Sequence, residues 1–561
     1  MVSNRAKASL LIVGLASSLF LGIAVGAWMP SDDDFFELRK NFRIFGAVYE
    51  ELVTGYVKPV DPEHLMRVGV DAMLSELDPY TSFLDEADNA NLDMITKGRY
   101  GGVGLDVGKR GGKITVVSPV EGGSGYKQGI RTGDMITTID DQRVGPLSVE
   151  DVETLLRGEP GTAVEVVVER EGAPAPLRFA LTREEIDLDN VTYRGRVGPE
   201  SDVGYVKLER FTRSAASDLE SELQALTETG EMTGLILDLR DNPGGLLRAA
   251  VSVAELFVEK GATVVSTEGR IAKASSTYRS DRPPLLPDLP LVVLVNGYSA
   301  SASEIVAGAV QDHDRGVVLG TTTYGKGLVQ AIRSLPHNTS LKMTTAQYRT
   351  PSGRSIQQLS PVARDTSTTA LQKGSDSTSA MATHETTHGR TVRDGDGLRP
   401  DVRVAADSAS ALEEALKRNA AFFYYANHFA ASRDSLSPSF TVTDAIYDDF
   451  RAWLEEEDFR YPTDAEHAIN KLRERFGAAN YEAVKEEVAV LREAVRAEKR
   501  DAFREHAPAL RHHLEREILA RFRSESQRIA ALLPRDRQVT TAVDLLHEPD
   551  RYAGILTPAE N

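Results

Sequence analysis

P-L-V-V-L-V-N-G-Y-S-A-S-A-S-E-I-V-A-G-A-V-Q-D, from Pro290 to Asp312, opens on an apolar run the length of one buried strand and closes on helical spacing from Glu304 to Gln311. The serines Ser299, Ser301 and Ser303 therefore sit at a strand-to-helix turn. The backbone N–H groups of a helix start have no intrahelical acceptor and favour a developing negative charge. Downstream, T-Y-G-K-G-L-V-Q, Thr323 to Gln330, sets Lys326 between two glycines, where little bulk keeps its stem from reaching inward. Gln330 follows four residues later, and positions four apart share a face in a helix or a strand. A serine hydroxyl is a weak nucleophile that needs a base beside it and donors for the oxyanion it creates. This stretch offers all three. A plainer reading stays open at this point: Ser301 and Glu304 also make an S-x-x-E capping box, and a lysine between glycines also suits a solvated loop.

Working outward, strand candidates 203–208, 235–239, 291–295 and 317–319 alternate with helix candidates 215–226, 247–259 and 304–311. Such alternation predicts an α/β core. The strand L-I-L-D-L runs into R-D-N-P-G-G, residues 235–245, a good turn whose glycines let backbone N–H groups approach a ligand closely.

Together these motifs resemble the carboxyl-terminal processing peptidases, or tail-specific proteases, whose pattern S-A-S-A-S-E followed by G-K-G-x-V-Q matches Ser299 to Glu304 and Gly325 to Gln330. The resemblance implies that Ser301 is the nucleophile, Lys326 the general base and Gln330 the residue orienting the lysine, with Ser299 and Ser303 structural. It implies oxyanion donors at Ala302 and at Gly244 or Gly245, and a crotonase-like β-α architecture for the core, residues 187–406. Tyr298 departs from the pattern, standing where many members carry glycine. A base must be neutral, yet a free lysine has a pKa of about 10.4, and bringing it to about 7–8 requires destabilising the charged form by about 4 kcal/mol. Lys326 is therefore expected to be mostly buried and without a carboxylate partner. The rival base His313 follows the serine helix, roughly 18 Å away at about 1.5 Å per residue, outside hydrogen-bond reach.

Residues 97–186 resemble a protease-type PDZ domain, a partly open β-barrel. The loop Gly101-Gly102-Val103-Gly104-Leu105 precedes a strand, then I-T-V-V-S-P-V, the turn R-T-G-D-M and a helix from Ser148 to Leu156. Such a loop presents N–H groups to a chain-terminal carboxylate while the following strand pairs with the ligand. Gly102, Val103, Gly104 and Leu105 are thus substrate-binding candidates, and Arg157 matches an arginine that in some members links the PDZ state to the active site.

The formal net charge of −19 argues against a nucleic-acid partner. The absence of cysteine excludes disulfides, cysteine catalysis and thiolate metal sites. Arg5 and Lys7 precede an apolar stretch from Leu10 to Trp28, near the spanning threshold of about 20 residues, followed by Asp32-Asp33-Asp34. Residues 1–30 read as a signal peptide or an anchor in the inner (cytoplasmic) membrane, with the body periplasmic or otherwise extracytoplasmic. In the helical region 31–96, Phe35, Leu38, Phe42, Phe45, Tyr49 and Leu52 recur at spacings of three and four, a seam for its own domain or a homodimer. The Ser/Thr-rich tract from about 360 to 395 reads as a mobile insertion. Residues 407–561 read as amphipathic helices that pack on the core, pair with a second copy or serve an adaptor.

These readings converge on an exported serine endopeptidase that captures substrate proteins by exposed, apolar C-termini and needs no metal or organic cofactor, since Ser301, Lys326 and backbone donors suffice for acyl transfer. The alternative is a non-catalytic PDZ scaffold, which has no need of an intact serine, lysine and glutamine.

Overall fold

A computed structural model describes residues 32–86, 88, 94, 96–357, 382–405, 409–461, 463–478 and 482–558. The expected signal or anchor at 1–30 lies outside them, as do residues 358–381 of the Ser/Thr-rich tract. Among the described residues no helix is long and apolar enough to cross a membrane. The chain forms two compact units that divide after Phe83.

The first unit holds α1 (Asp32–Gly55) and α2 (Pro62–Ser75). Asp61 starts α2, its carboxylate accepting from the N–H groups of Glu63 and His64, with Pro62 set in the first turn where its missing N–H is harmless. The expected seam of α1 is only partly taken up within this unit: Tyr49 is half-buried and its hydroxyl donates to Pro62 O at 2.7 Å, whereas Leu38, Phe42, Phe45 and Leu52 are exposed, Phe42 by 77%.

The second unit begins with the PDZ-like sheet of β1 (Leu105–Arg110), β2 (Lys113–Pro119), β3 (Met135–Ile139), β4 (Ala163–Glu169) and β5 (Leu177–Thr182), antiparallel and paired in that order. β1 and β5 do not pair, so the sheet stays open and β1 is left as an edge. Helices α3 (Ser124–Gln128) and α4 (Val149–Leu156) belong to this part, and Ser148 and Asp151 form the capping box that starts α4. Valines alternating inward, including Val107, Val116, Val164, Val166 and Val168, make its core.

The serine and lysine motifs lie on a six-stranded sheet: β6 (Val191–Val197), β7 (Val203–Leu208), β8 (Gly234–Asp238), β9 (Leu291–Val295), β10 (Val317–Gly320) and β11 (Val402–Arg403). β6 is antiparallel and the rest are parallel, joined through α5 (Ala215–Glu228), α6 (Leu247–Ala254) and α7 (Ala302–Asp312). One face packs Leu237, Val293 and Val318 against the three helices. The other packs Ile236, Val292, Leu294, Val317 and Leu319 against α8 (Arg537–Leu546) through Val539, Val543 and Leu546. Both faces being covered explains why β8, β9 and β10 read as unbroken apolar runs. It also shows that part of the C-terminal helical region covers this sheet.

The expectation of a mobile insertion over residues 360–395 does not hold for the described end of the tract. Residues 382–395 form a built hairpin, Thr383–Glu385 against Thr391–Arg393, clamped by Arg390 to Asp314 and Asp401 at 2.6 Å each. These ion pairs give the tract something to bury despite its polar composition.

The remaining C-terminal helices build a core of their own around Phe422, Tyr425, Phe450 and Leu514. His513 lies there 2.8 Å from Glu413, and burial, with Lys417 and Arg516 nearby, depresses its pKa to about 4. The unfolded chain, with His near 6.5, takes up a proton that the folded one refuses. The stability His513 contributes is therefore full above about pH 6.5 and lost as pH falls towards about 4. Thermal unfolding over that range should show a shallower loss for His513→Gln than for the parent.

Candidate active site

Three neighbouring parallel strands deliver the motifs. The carboxyl end of β8 leads into the turn 241–245, that of β9 into the serine turn, and that of β10 into the segment carrying Lys326. Asp238 is in register with Leu294, and Val295 with Gly320, so the strands end side by side. Crevices beyond the carboxyl ends of parallel strands are where open α/β sheets bind ligands.

Ser301 takes φ 54° and ψ −109°, a conformation rare for a residue with a side chain. Its neighbours hold it there. The Ser299 hydroxyl donates to Leu239 O at 2.8 Å, the Ser303 hydroxyl to Asn242 O at 2.9 Å and the Ala300 N–H to Asn242 O at 3.1 Å. Both flanking serines are fully buried and staple the turn to the loop after β8. Gly244, at φ +100°, must lack a side chain: a Cβ would fall 2.7 Å from Ala300 O and 2.9 Å from Ala302 N.

Glu304 is fully buried and does more than cap α7. Its Oε2 accepts the Ser301 N–H at 2.8 Å and the Lys326 N–H at 2.9 Å, while Oε1 accepts the Gly325 N–H at 2.8 Å and the Thr323 hydroxyl at 2.6 Å. Burial pushes its carboxyl up, against the pull of those donors. Tyr348, on the strand Ser340–Arg349, closes the same link from the other side, its hydroxyl 2.5 Å from Lys326 O and 3.1 Å from Ser301 O. A phenol has one proton to donate, and burial keeps it on by raising the pKa. Two side chains thus tie the backbone of the serine turn to that of the lysine segment. Lys326 itself is half-buried, keeping some solvent contact. Gln330 lies on the strand Leu328–Ser334 with its amide nitrogen buried and without a hydrogen-bond partner among the described residues.

Of the oxyanion candidates, Gly244 is corrected: its N–H is already committed to Asn242 Oδ1 at 2.9 Å. Ala302 is the first residue of α7 and Gly245 bridges Phe211, and neither N–H is engaged among the described backbone hydrogen bonds. Beneath the turn, Asp238 is fully buried and pairs with Arg240, whose guanidinium also reaches Asp536 at 2.7 Å, at the start of α8. Tyr205 donates to Asp238 at 2.6 Å. Arg240, and its hydrogen bonds with Asp238, hold that carboxyl low despite its burial.

His313 ends α7, at the opposite end from Ser301, with Nε2 2.7 Å from Thr263 O. In the PDZ part, the carbonyls of Val103 and Gly104 anchor the loop, accepting from the N–H groups of Gly125 at 2.9 Å and Val120 at 2.8 Å, while the Gly104 N–H has no backbone acceptor among the described residues. The side chains of Val103 and Leu105 are buried and Gly102 pairs with Glu184, so what the loop presents is mainly its backbone. Arg157 pairs with Glu153 at 2.8 Å and lies over the Tyr100 ring.

Sequence reasoning missed the linking roles of Glu304 and Tyr348 and the Asp238–Arg240 pair. Glu304 was visible only as a cap, and nothing in T-T-A-Q-Y-R-T-P marks Tyr348 as facing Ser301 and Lys326.

Comparison with known proteins agrees with this geometry. Residues 202–368 match the model of peptidase family S41, residues 115–170 that of the PDZ domain, and residues 412–546 that of the probable PDZ-protease C-terminal helical domain. The chain is 39% identical to the carboxy-terminal-processing protease of Bartonella bacilliformis over 57% of its own length and 73% of that protein's. It is 35% identical to the chloroplastic C-terminal processing peptidase of Tetradesmus obliquus, over 59% and 74%. Among solved structures, the photosystem II D1 C-terminal processing protease is 30% identical, covering 64% of this chain and 86% of that one with a TM-score of 0.37. With a strained serine beyond the end of one parallel strand, a lysine segment following the next, an accompanying PDZ domain and these matches, the chain belongs to the carboxy-terminal-processing serine proteases of peptidase family S41.

Proposed function

We propose that Ser301 and Lys326 form the catalytic dyad and that the PDZ domain selects substrates by their C-termini. The observation that carries this reading is the Glu304 carboxylate, one group bonded to the backbone of both residues. Neutral Lys326 takes the proton as Ser301 Oγ adds to the scissile carbonyl, and the N–H groups of Ala302 and Gly245 receive the oxyanion. The lysine then returns the proton to the leaving amine, and water, deprotonated by the same lysine, releases the acyl-enzyme. Gln330 stands four residues from Lys326 as its orienting partner. An extended tail adds to the free edge of β1, its carboxylate meeting the Gly104 loop. The apolar stretch within residues 1–30 supports export and anchorage in the inner membrane, with the catalytic body outside the cytoplasm. The exposed α1 seam supports pairing of two copies.

An unfolded reporter protein carrying an apolar C-terminal tail should be cleaved faster than the same reporter ending in two acidic residues, and neither should be cleaved by Ser301→Ala. Equal rates for the two tails would remove the PDZ from substrate selection.

A further inference from the structure

We infer that the tail-binding site is composite, with one wall supplied by the C-terminal helices. The inference rests on the tail-binding reading and adds the residues that complete the site and the ligand they fit. A cleft of about 710 Å³ lies between the PDZ loop and the corner that joins the helices Ala507–Phe522 and Glu525–Leu532. Gly104, Leu105, Ile130 and Leu156 line it from the PDZ side, Phe522 and Ser526 from the corner. That volume falls within the range of about 300–1,000 Å³ typical of ligand pockets, so the corner roofs the groove and leaves it open.

The corner is held in place. Arg523 donates to Ser437 O at 2.9 Å and Pro438 O at 2.6 Å. Arg521, only 3% exposed, binds Glu517, Asn427 and Phe423 O. The PDZ part is bonded to the same helices: Asn427 Nδ2 donates to Gly133 O at 3.0 Å and the Tyr424 hydroxyl to Arg110 O at 2.9 Å. At Gly133 any side chain would collide, since a Cβ would stand 2.1 Å from Asn427 Oδ1. The two walls therefore keep a fixed separation, and preorganised walls add affinity because little order is lost on binding.

The chemistry of the walls names the ligand. The Gly104 N–H on the PDZ side suits a free α-carboxylate, and Ile130 and Leu156 on that side, with Phe522 on the other, suit an apolar last side chain. The site takes an extended chain end with a free carboxylate and an aliphatic or aromatic terminal residue. The C-terminal helical region thereby shares in substrate choice.

The test measures fluorescence anisotropy of a labelled peptide ending in an apolar residue, with the full-length Ser301→Ala protein, beside the same peptide amidated at its C-terminus. Phe522→Ala should weaken binding of the free-carboxylate peptide about ten- to thirtyfold. Ser526→Trp, which fills the cleft from an exposed position, should weaken it at least as much; melting curves matching the parent establish that each variant is folded. A preserved preference for the free carboxylate, with both folded variants binding as tightly as the parent or more tightly, would overturn the composite wall. Equal binding of free and amidated peptides would instead overturn the tail-binding reading, and the composite wall with it.

Discussion

Lys326→Ala and Ser301→Ala are each expected to lower kcat by on the order of 10⁴-fold or more, because members of a nucleophile–base pair act as a unit and either loss removes the whole step. The two changes combined should be little worse than either alone. Binding of a tail peptide should survive both, since the PDZ loop is built from residues about 200 positions upstream on a separate sheet. Lys326→Arg is the sharper probe. Arginine keeps the charge and much of the length but stays protonated with a pKa above about 12, so it cannot accept the serine proton. Burst and steady-state kinetics on an ester and on a protein substrate check this. Retained turnover in Lys326→Arg would mean that another group takes the proton.

Glu304→Ala should reduce both stability and turnover. It leaves three backbone N–H groups and the Thr323 hydroxyl without their acceptor. Each buried unsatisfied group costs about 1–3 kcal/mol, and allowing for water entering the space the expected destabilisation is on the order of 3–5 kcal/mol. Releasing the link between the serine turn and the lysine segment also permits shifts of about 1 Å, which cost on the order of 10²-fold in rate. Glu304→Gln separates the two effects. Its volume is nearly unchanged, but an amide has one acceptor oxygen where the carboxylate has two, and its NH₂ would face an N–H donor. It should fold with a smaller loss of stability and still lose kcat, with KM for a tail-bearing substrate unchanged. Denaturant melts and a kcat-against-KM comparison give both numbers. A fully active Glu304→Gln would reduce Glu304 to a helix cap.

The chemistry of the site was legible from local patterns. An apolar strand, a small-residue turn and a helix in Pro290 to Asp312 place a serine at exposed helix-start N–H groups, and glycines on either side of Lys326 mark a segment that must approach closely. Strand positions were legible too, because a parallel sheet covered on both faces writes continuous apolar runs. The helix expected over 247–259 ends at Ala254, since the chain tightens into i to i+3 turns at Leu256 and Phe257 that bury both side chains. Periodicity alone cannot separate those turns from helix.

The sequence by itself determined the family and that its serine and lysine motifs lie on the loops of an α/β sheet, because nucleophile, base and backbone donors are local chemical requirements written in short motifs. Only the tertiary structure decided how the pieces are held and what surrounds them. Glu304 and Tyr348 join segments that are adjacent because β9 and β10 are neighbours in the sheet, Gly244 loses its donor role to Asn242 Oδ1, and Arg390 turns a polar tract into a hairpin by reaching Asp314 and Asp401. The corner at Phe522 meets the PDZ groove across more than 400 residues of chain. Such partnerships depend on which strands lie side by side and which faces they bury, and residue spacing along the chain does not record them.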